Sequence, residues 1–414
     1  MSRILRLLLV TALLGVALLT AILMLFRQGM AAPQFRTTAT ATAFDASTVS
    51  PAVVTALQAG GYDVSMSPMG TVHFTNVPHR IVTQDANYND MLYALRQEAG
   101  LIATGYSNNI YGGFYAQVPG ATSVVDYATI TFLSAGSGNL FDKELLYRLH
   151  ADVHHIDPVQ LASIRGWSKA DVEEIARNVG PFFANRFSRE NNYSGKDPYT
   201  YYTAFELAEK VGEVYRSAGR IRRLQIVYDR MVQTIVKRLP PIEQRPRVGL
   251  ALLNNGKFTP YSLLNGGFGQ AQYRAVGARD AFEKIAGSTY GSSGGAGVAL
   301  DLEGLLAINP DIIIVPFSIY PTTPGGSTSR AAYERLLALR DDPIGSRLAA
   351  LQNKRVYPGG SPLQGPVFLL FQVEMAAKQI YPDQFGAYRD DQCYPKTEQL
   401  FDRTEVAAAI RAND

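Results

Sequence analysis

Two glutamates hold the same place in two copies of one sequence phrase. Residues 144–154 read Glu-Leu-Leu-Tyr-Arg-Leu-His-Ala-Asp-Val-His, and residues 303–313 read Glu-Gly-Leu-Leu-Ala-Ile-Asn-Pro-Asp-Ile-Ile. In each copy an Asp follows the Glu by eight residues, and an apolar run follows the Asp: Val153–Ile156 in one, Ile312–Val315 in the other. Apolar positions at helical spacing that lead straight into an apolar run predict a short amphipathic helix turning into a buried parallel strand. Two such units 159 residues apart predict two similar α/β lobes, a cleft between them, and matching carboxylates of Glu144 and Glu303 on the outside. Taken singly, each Glu also reads as an ordinary solvated residue favoured by the helix macrodipole.

Aromatic residues form a second concentration. Eleven of the 23 tyrosines fall between residues 88 and 202. Tyr88 opens the series. Tyr106, Tyr111 and Tyr115 share a stretch with Asn108 and Asn109, and Tyr193, Tyr199, Tyr201 and Tyr202 lie near Arg186, Arg189 and Lys196. Aromatic rings with Arg make a wall suited to a large flat or anionic chelate, through stacking, cation–π contacts and hydrogen bonds. From the second half, Phe258, Tyr261, Phe268 and Tyr320 fall in expected strand-end loops, beyond the carboxyl ends of strands where ligands of open α/β sheets sit. The competing reading is that many of these rings cap hydrophobic edges.

Other chemistries find little support. His154-His155, flanked by Asp152 and Asp157, suggests a metal, but adjacent residues of a strand point to opposite faces and cannot share one ion. The expectation is one His toward the core and one at the strand end. His73, His79 and His150 lack a metal-binding spacing, and no His follows residue 155. The lone Cys393 can form neither an intrachain disulfide nor a zinc site. There is no Walker loop. Gly291-Ser292-Ser293-Gly294-Gly295 matches a nucleophile elbow only through its Gly/Ser composition, without a later His. Asn265–Gly269 lacks dinucleotide-binding spacing. No enzyme, resident cofactor or metal is expected.

The elements that must position these residues follow from composition and pattern. Arg3 and Arg6 precede the uncharged run Leu7–Phe26, and Ala31-Ala32-Pro33 follows, so residues 1–32 read as a signal peptide or a membrane anchor. Without Arg3, Arg6 and Arg27 the formal charge of +3 falls to about zero, which excludes nucleic-acid binding on charge grounds. Residues 33–64 form an N-terminal extension, with a β-hairpin beginning near Asp63. Strands are predicted at Ile81–Thr83, Leu101–Gly105 and Val248–Leu253, and helices at 89–95, 171–178 capped by Ser168, 203–215, 272–285, 331–351, 367–380 and 396–411. Arg220–Leu239 carries a clean apolar face and is stopped by Pro240-Pro241. The resulting domains are 65–218, a joining helix at 219–240, and 241–414.

This order resembles the periplasmic binding proteins that deliver ferric siderophores, haem and cobalamin to ABC importers. The matching segments are Pro78-His79-Arg80-Ile81-Val82, Asp301-Leu302-Glu303 through Pro310-Asp311-Ile312-Ile313-Ile314, and the helix after Gly365-Pro366, over about residues 65–390. The resemblance implies two Rossmann-like lobes with parallel sheets, joined by one long helix and closing little over a cleft. It implies an iron(III) chelate as cargo, with haem or cobalamin as alternatives. The imported binding surface would include Tyr88, Tyr106, Tyr111, Tyr115, Arg186, Arg189, Tyr193, Phe258, Tyr261, Phe268 and Tyr320. It also implies that Glu144 and Glu303 pair with arginines of the permease subunits, in a monomer located outside the cytoplasm. The 157–202 stretch is longer than the resemblance requires. An exported enzyme or sensor reusing the fold is the reading of another class.

Overall fold

The computed structural model describes residues 60–105, 111–133, 142–285, 299–319 and 328–413. The predicted leader at 1–32 and most of the N-terminal extension lie outside them. Among the described residues, no helix is long and apolar enough to cross a membrane. A hairpin of β1 (Tyr62–Met66) and β2 (Gly70–Phe74) comes first. It is followed by a parallel sheet of β3 (Ile81–Thr83), β4 (Leu101–Thr104), β5 (Thr131–Phe132) and β6 (Val153–His155), in the order β5-β4-β3-β6.

A second sheet is built from β7 (Arg247–Asn254), β8 (Lys257–Tyr261), β9 (Arg279–Asp280), β10 (Ile312–Val315) and β11 (Val356–Pro358). Its order is β11-β10-β7-β8, with β9 also on β7. All of its pairings are parallel except the β7–β8 hairpin. Parallel strands need helical crossovers, and both sheets have them. The helices that matter below are α1 (Ala86–Leu95), α2 (Lys143–Leu149), α3 (Lys169–Asn178), α4 (Ala204–Val214), α5 (Ala218–Val236), α6 (Leu302–Ile308), α7 (Pro366–Ile380) and α8 (Arg403–Arg411).

The long connector is α5. It buries Ile221, Leu224, Val227, Met231 and Ile235, a spacing of three and four that draws one apolar stripe along the helix. Its 19 residues span about 28 Å at 1.5 Å each, enough to run between two lobes. Capping boxes start α3 at Ser168/Asp171 and α4 at Thr203/Glu206, so local polar pairs set those helix starts. The helix expected over 272–285 is instead a short turn of helix at Ala271–Ala275 that stops at Gly277, where φ is +58°. The chain then pairs as β9 on β7. The left-handed glycine ends the helix, and a sheet edge takes over.

The repeated phrase is a repeated conformation. Asp142 and Asp301 cap α2 and α6. Six residues after each Glu, His150 and Asn309 turn left-handed, with φ of 43° and 46°. The Asp two positions on then accepts backbone hydrogen bonds from the residues that open the first strand of its own lobe. Asp152 Oδ2 accepts from the N–H groups of His79 and Arg80 at 2.8 and 2.9 Å, and Asp311 Oδ2 accepts from the Arg247 N–H at 2.7 Å. Those arginines reach back. Arg80 donates to the carbonyls of Leu149 and His150, and Arg247 donates to that of Asn309. Register follows from the clamp: Ile81 pairs with Val153, and Val248 pairs with Ile312.

The halves meet at α7, all fifteen residues of which are buried. Its first turn leaves N–H groups unsatisfied. Asp90, from α1, accepts from Val367 and Phe368 at 2.9 and 3.1 Å, and from the Tyr115 hydroxyl at 2.7 Å. Glu374 of the same helix binds Arg403 of α8, and Lys378 donates to the carbonyls of Phe385 and Glu398 at 2.7 and 2.8 Å. Asp90→Ala would strand two helix N–H groups and a tyrosine hydroxyl out of reach of water. Urea unfolding should show a loss of about 2–4 kcal/mol, against about 0–1 kcal/mol for Asp63→Ala on the exposed hairpin.

Candidate functional site

Each glutamate occupies the second position of its helix, two residues after the capping Asp. The Asp142 carboxylate accepts from the Glu144 N–H at 3.0 Å, and that of Asp301 from the Gly304 N–H at 2.7 Å. Each helix leads through a short left-handed turn into the strand it packs against, so it runs antiparallel to that strand. Its amino end therefore lies at the carboxyl ends of the strands. Leu146 and Leu305 hold the two helices to their sheets and are fully buried. The Glu144 side chain is 85% exposed and meets Arg148 only at 4.0 Å, a surface contact worth little. Glu303 is exposed and makes no ion pair among the described residues.

At those same carboxyl ends lies a compact cluster of charge. Asp85, two residues beyond β3, sits 3.2 Å from both Arg186 Nε and Arg189 Nη1. Arg189 is buried at 5% exposure and also reaches Glu190 at 3.3 Å, while Arg186 is half-buried. Asp157, after β6, accepts from the N–H groups of Val159, Gln160 and Arg186 and from the Tyr199 hydroxyl. Burial raises its pKa above the ordinary carboxylate value, with those hydrogen bonds opposing. The 185–192 turn carrying these arginines seats on the glycine loop of the other half. A Cβ on Gly267 would overlap the Arg189 carbonyl, so only glycine admits this approach. Sequence reasoning missed Asp85 and Glu190. The available signal was the position of Asp85, directly after an apolar strand.

The predicted aromatic wall divides. Tyr88, Tyr111, Tyr115 and Phe258 are core side chains, each no more than 3% exposed, which corrects their reading as ligand contacts. Tyr88 stacks on His155 at 5.3 Å and accepts from the Asn185 N–H. Tyr111 donates to the Leu363 carbonyl and lies 4.5 Å from Phe368, and Tyr115 stacks on Tyr93. Arg189 is likewise spent on Asp85. Tyr261 is half-buried, and Phe268 is buried but lines a cavity of about 430 Å³ between the halves beside α5, together with Tyr202, Phe205, Tyr228 and Arg274. The rings of Tyr193, Tyr199 and Phe187 meet tilted or edge-on, with centroids 4.8–5.4 Å apart. Tyr193 and Tyr199 also face a largely apolar pocket of about 610 Å³ against the β1–β2 turn and α3. Tyr106 and Tyr320 lie outside the described residues.

Both histidines of the pair are in the core: His155 ends β6, as expected of one of them, but it is buried as fully as His154. His154 packs on Phe182 with Nδ1 3.1 Å from the Gly180 carbonyl, and His155 sets Nδ1 2.7 Å from the Phe183 carbonyl. Facing a carbonyl, each Nδ1 must carry the proton. His155 Nε2 then accepts from the Tyr215 hydroxyl. Burial pushes both rings down to about 4, so they are neutral at pH 7. Among the described residues no group of three or more His, Cys, Asp or Glu could hold a metal ion.

The fold is similar to that of solved periplasmic binding proteins. Solved structures with the same fold include a periplasmic binding protein from Veillonella parvula (13% identity, 78% of this chain and 91% of that one, TM-score 0.51). CeuE from Helicobacter pylori with bound Ni(II) matches with 14% identity over 78% and 90% of the chains, at a TM-score of 0.52. PiuA, the substrate-binding protein of an iron uptake ABC transporter from Streptococcus pneumoniae, matches with 14% identity over 78% and 99%, at 0.51. No family model matches the chain, and neither does any curated protein sequence. The two-lobed α/β fold of this class is therefore shared without close sequence kinship.

The buried histidines generate a pH prediction. Unfolded, each takes a proton near pH 6.5; folded, neither does until about pH 4. Their stabilisation is complete above pH 6.5 and is lost as pH falls toward 4. Asp90, raised by burial to about 6, acts with the opposite sign between pH 4 and 6, and Glu98 and Asp157, also raised by burial, oppose in the same direction; the two rings, titrating from 6.5 down to about 4, set the sign at the upper end of the window. Unfolding free energy should fall by up to about 1 kcal/mol per pH unit as pH drops from 6.5 toward 6, and less steeply below that as the raised carboxyls take up protons. In His155→Asn, which keeps a donor toward Phe183, that slope should shrink or reverse.

Proposed function

We propose that this protein is the solute-binding component of an ABC importer, carrying an iron chelate between its lobes and docking on the permease through Glu144 and Glu303. The observation that carries the reading is the pair of carboxylates. Each stands at the second position of a capped helix at the carboxyl ends of its own sheet, exposed, in a frame locked by the same Arg–Asp clamp. A stability role would place them against partners; these have almost none. Exposed carboxylates on rigid supports suit bidentate pairing with arginines on a partner, and two of them fix an orientation.

The cargo assignment is supported by the fold and by the place where ligands bind in such sheets. Among proteins with this fold, PiuA is described as belonging to iron uptake. Haem and cobalamin are the other cargoes to test. In this reading the chain catalyses no reaction: it binds, presents and releases. The leader at 1–32 would take it across the membrane or tether it there.

Glu144→Ala combined with Glu303→Ala should leave cargo affinity, read by tyrosine fluorescence quenching, within about twofold. Uptake of the labelled chelate in cells should drop at least tenfold. Each single variant should show an intermediate loss. Full uptake by the double variant would dismiss docking through these residues.

A further inference from the structure

Three parts of the chain wall one cavity. The start of α4, the middle of α5 and the short helical turn at Ala271–Ala275 border the space of about 430 Å³ beside the connector. Its lining carries one cation and two carboxylates, those of Arg274, Asp229 and Glu206. Glu206 is engaged: its carboxylate accepts from the Thr203 N–H at 2.8 Å in the capping box of α4. Arg274 and Asp229 have no such use for their charge.

Arg274 is half-buried and donates to the backbone carbonyls of Asn265, Gly266 and Gly267. Three bonds take at most three of the five N–H donors of a guanidinium. Among the described residues no carboxylate meets it, so its charge is unbalanced, and burial pushes its pKa down. Asp229 is exposed at the mouth of the cavity, and its side chain makes no hydrogen bond or ion pair among the described residues. Tyr228 senses both groups. Burial raises its phenol to about 12, Arg274 lowers it and Asp229 raises it further. Opposite charges thus border one space without pairing with each other.

The remaining wall is aromatic and apolar. The rings of Phe205 and Tyr228 lie 5.0 Å apart, and Tyr202, Phe268 and Ala275 continue the surface. A space of this volume suits a small molecule. A carboxylate fits the guanidinium, an ammonium fits Asp229, and an apolar body fits the rings. Independently of the cargo reading, we propose that this cavity binds a small zwitterion with an apolar body, an α-amino acid such as phenylalanine, through Arg274 and Asp229. A molecule seated there touches both halves and α5 at once, so its binding holds the three together.

The test titrates the purified full chain by calorimetry with L-phenylalanine, 3-phenylpropanoate and phenethylamine. The second compound keeps the ring and lacks the ammonium; the third keeps the ring and lacks the carboxylate. L-Phenylalanine should bind about tenfold more tightly than either, and saturating it should raise the melting temperature. Asp229→Asn, at an exposed helix position, should fold as the parent does. It should lose about tenfold in affinity for L-phenylalanine while its affinity for 3-phenylpropanoate holds or rises. Arg274→Gln, checked for folding by circular dichroism, should lose at least as much. Absence of L-phenylalanine binding overturns the proposal, and so does binding that Asp229→Asn leaves unchanged. Either result leaves the chelate reading where it stood.

Discussion

One reciprocal contact, made twice, organises the molecule. An arginine at the start of the first strand of each lobe donates to the carbonyls that end a helix. An aspartate just past that helix accepts from the backbone at the arginine. The contact joins residues more than sixty apart in sequence, yet it is made of short elements: a seven-residue helix, a left-handed turn and a strand of three or four residues. Such a helix is not stable alone. Held at its carboxyl end by the clamp and packed through Leu146 or Leu305, it becomes a rigid peg with a carboxylate near its tip. The glutamates can be matched because the clamps are matched.

The junction between the lobes uses different physics. A helix buried over its whole length must find acceptors for its first N–H groups inside the protein, and α7 finds Asp90 on α1. Further along, α7 buries Glu374 and Lys378, and α8 with the segment before it supplies their partners. Buried polar groups of this kind are costly unless fully satisfied, so they admit one arrangement of the surrounding chain. With α5 packed alongside and the 185–192 turn seated on glycines, the lobes are joined by more than a linker. A carrier of this build would present both glutamates at a nearly constant separation.

What the sequence made legible was local. The repeated phrase, the apolar stripe of α5 and the Ser168 cap follow from spacing within one or two helical turns, and the structure contains them. Long-range partnership was not legible. Tyr111 looks like a loop aromatic until its hydroxyl is seen to serve the Leu363 carbonyl, 252 residues away. Tyr115 belongs to Asp90, and Arg189 to Asp85, 104 residues earlier. A tyrosine-rich stretch signals amphipathic rings but not which side of them meets water. The helix expected over 272–285 failed for a local reason that was visible, Gly277, outweighed by the periodicity around it.

Arginine placement ties these observations together. Arg80, Arg247 and Arg355 each stand at or just before a strand and donate to the final carbonyls of α2, α6 and α7 in turn, while Arg220 serves Leu95 at the end of α1. Cations there complement the negative ends of the helix dipoles and supply donors to carbonyls that lack partners. Because helices and strands alternate in direction, this rule puts positive charge at the amino ends of the sheets, away from the glutamates. Arg186 and Arg189, at the opposite end, are both held by Asp85. The amino ends spend their charge on stability. The carboxyl ends carry two outward carboxylates on pegs that the amino-end arginines hold in place.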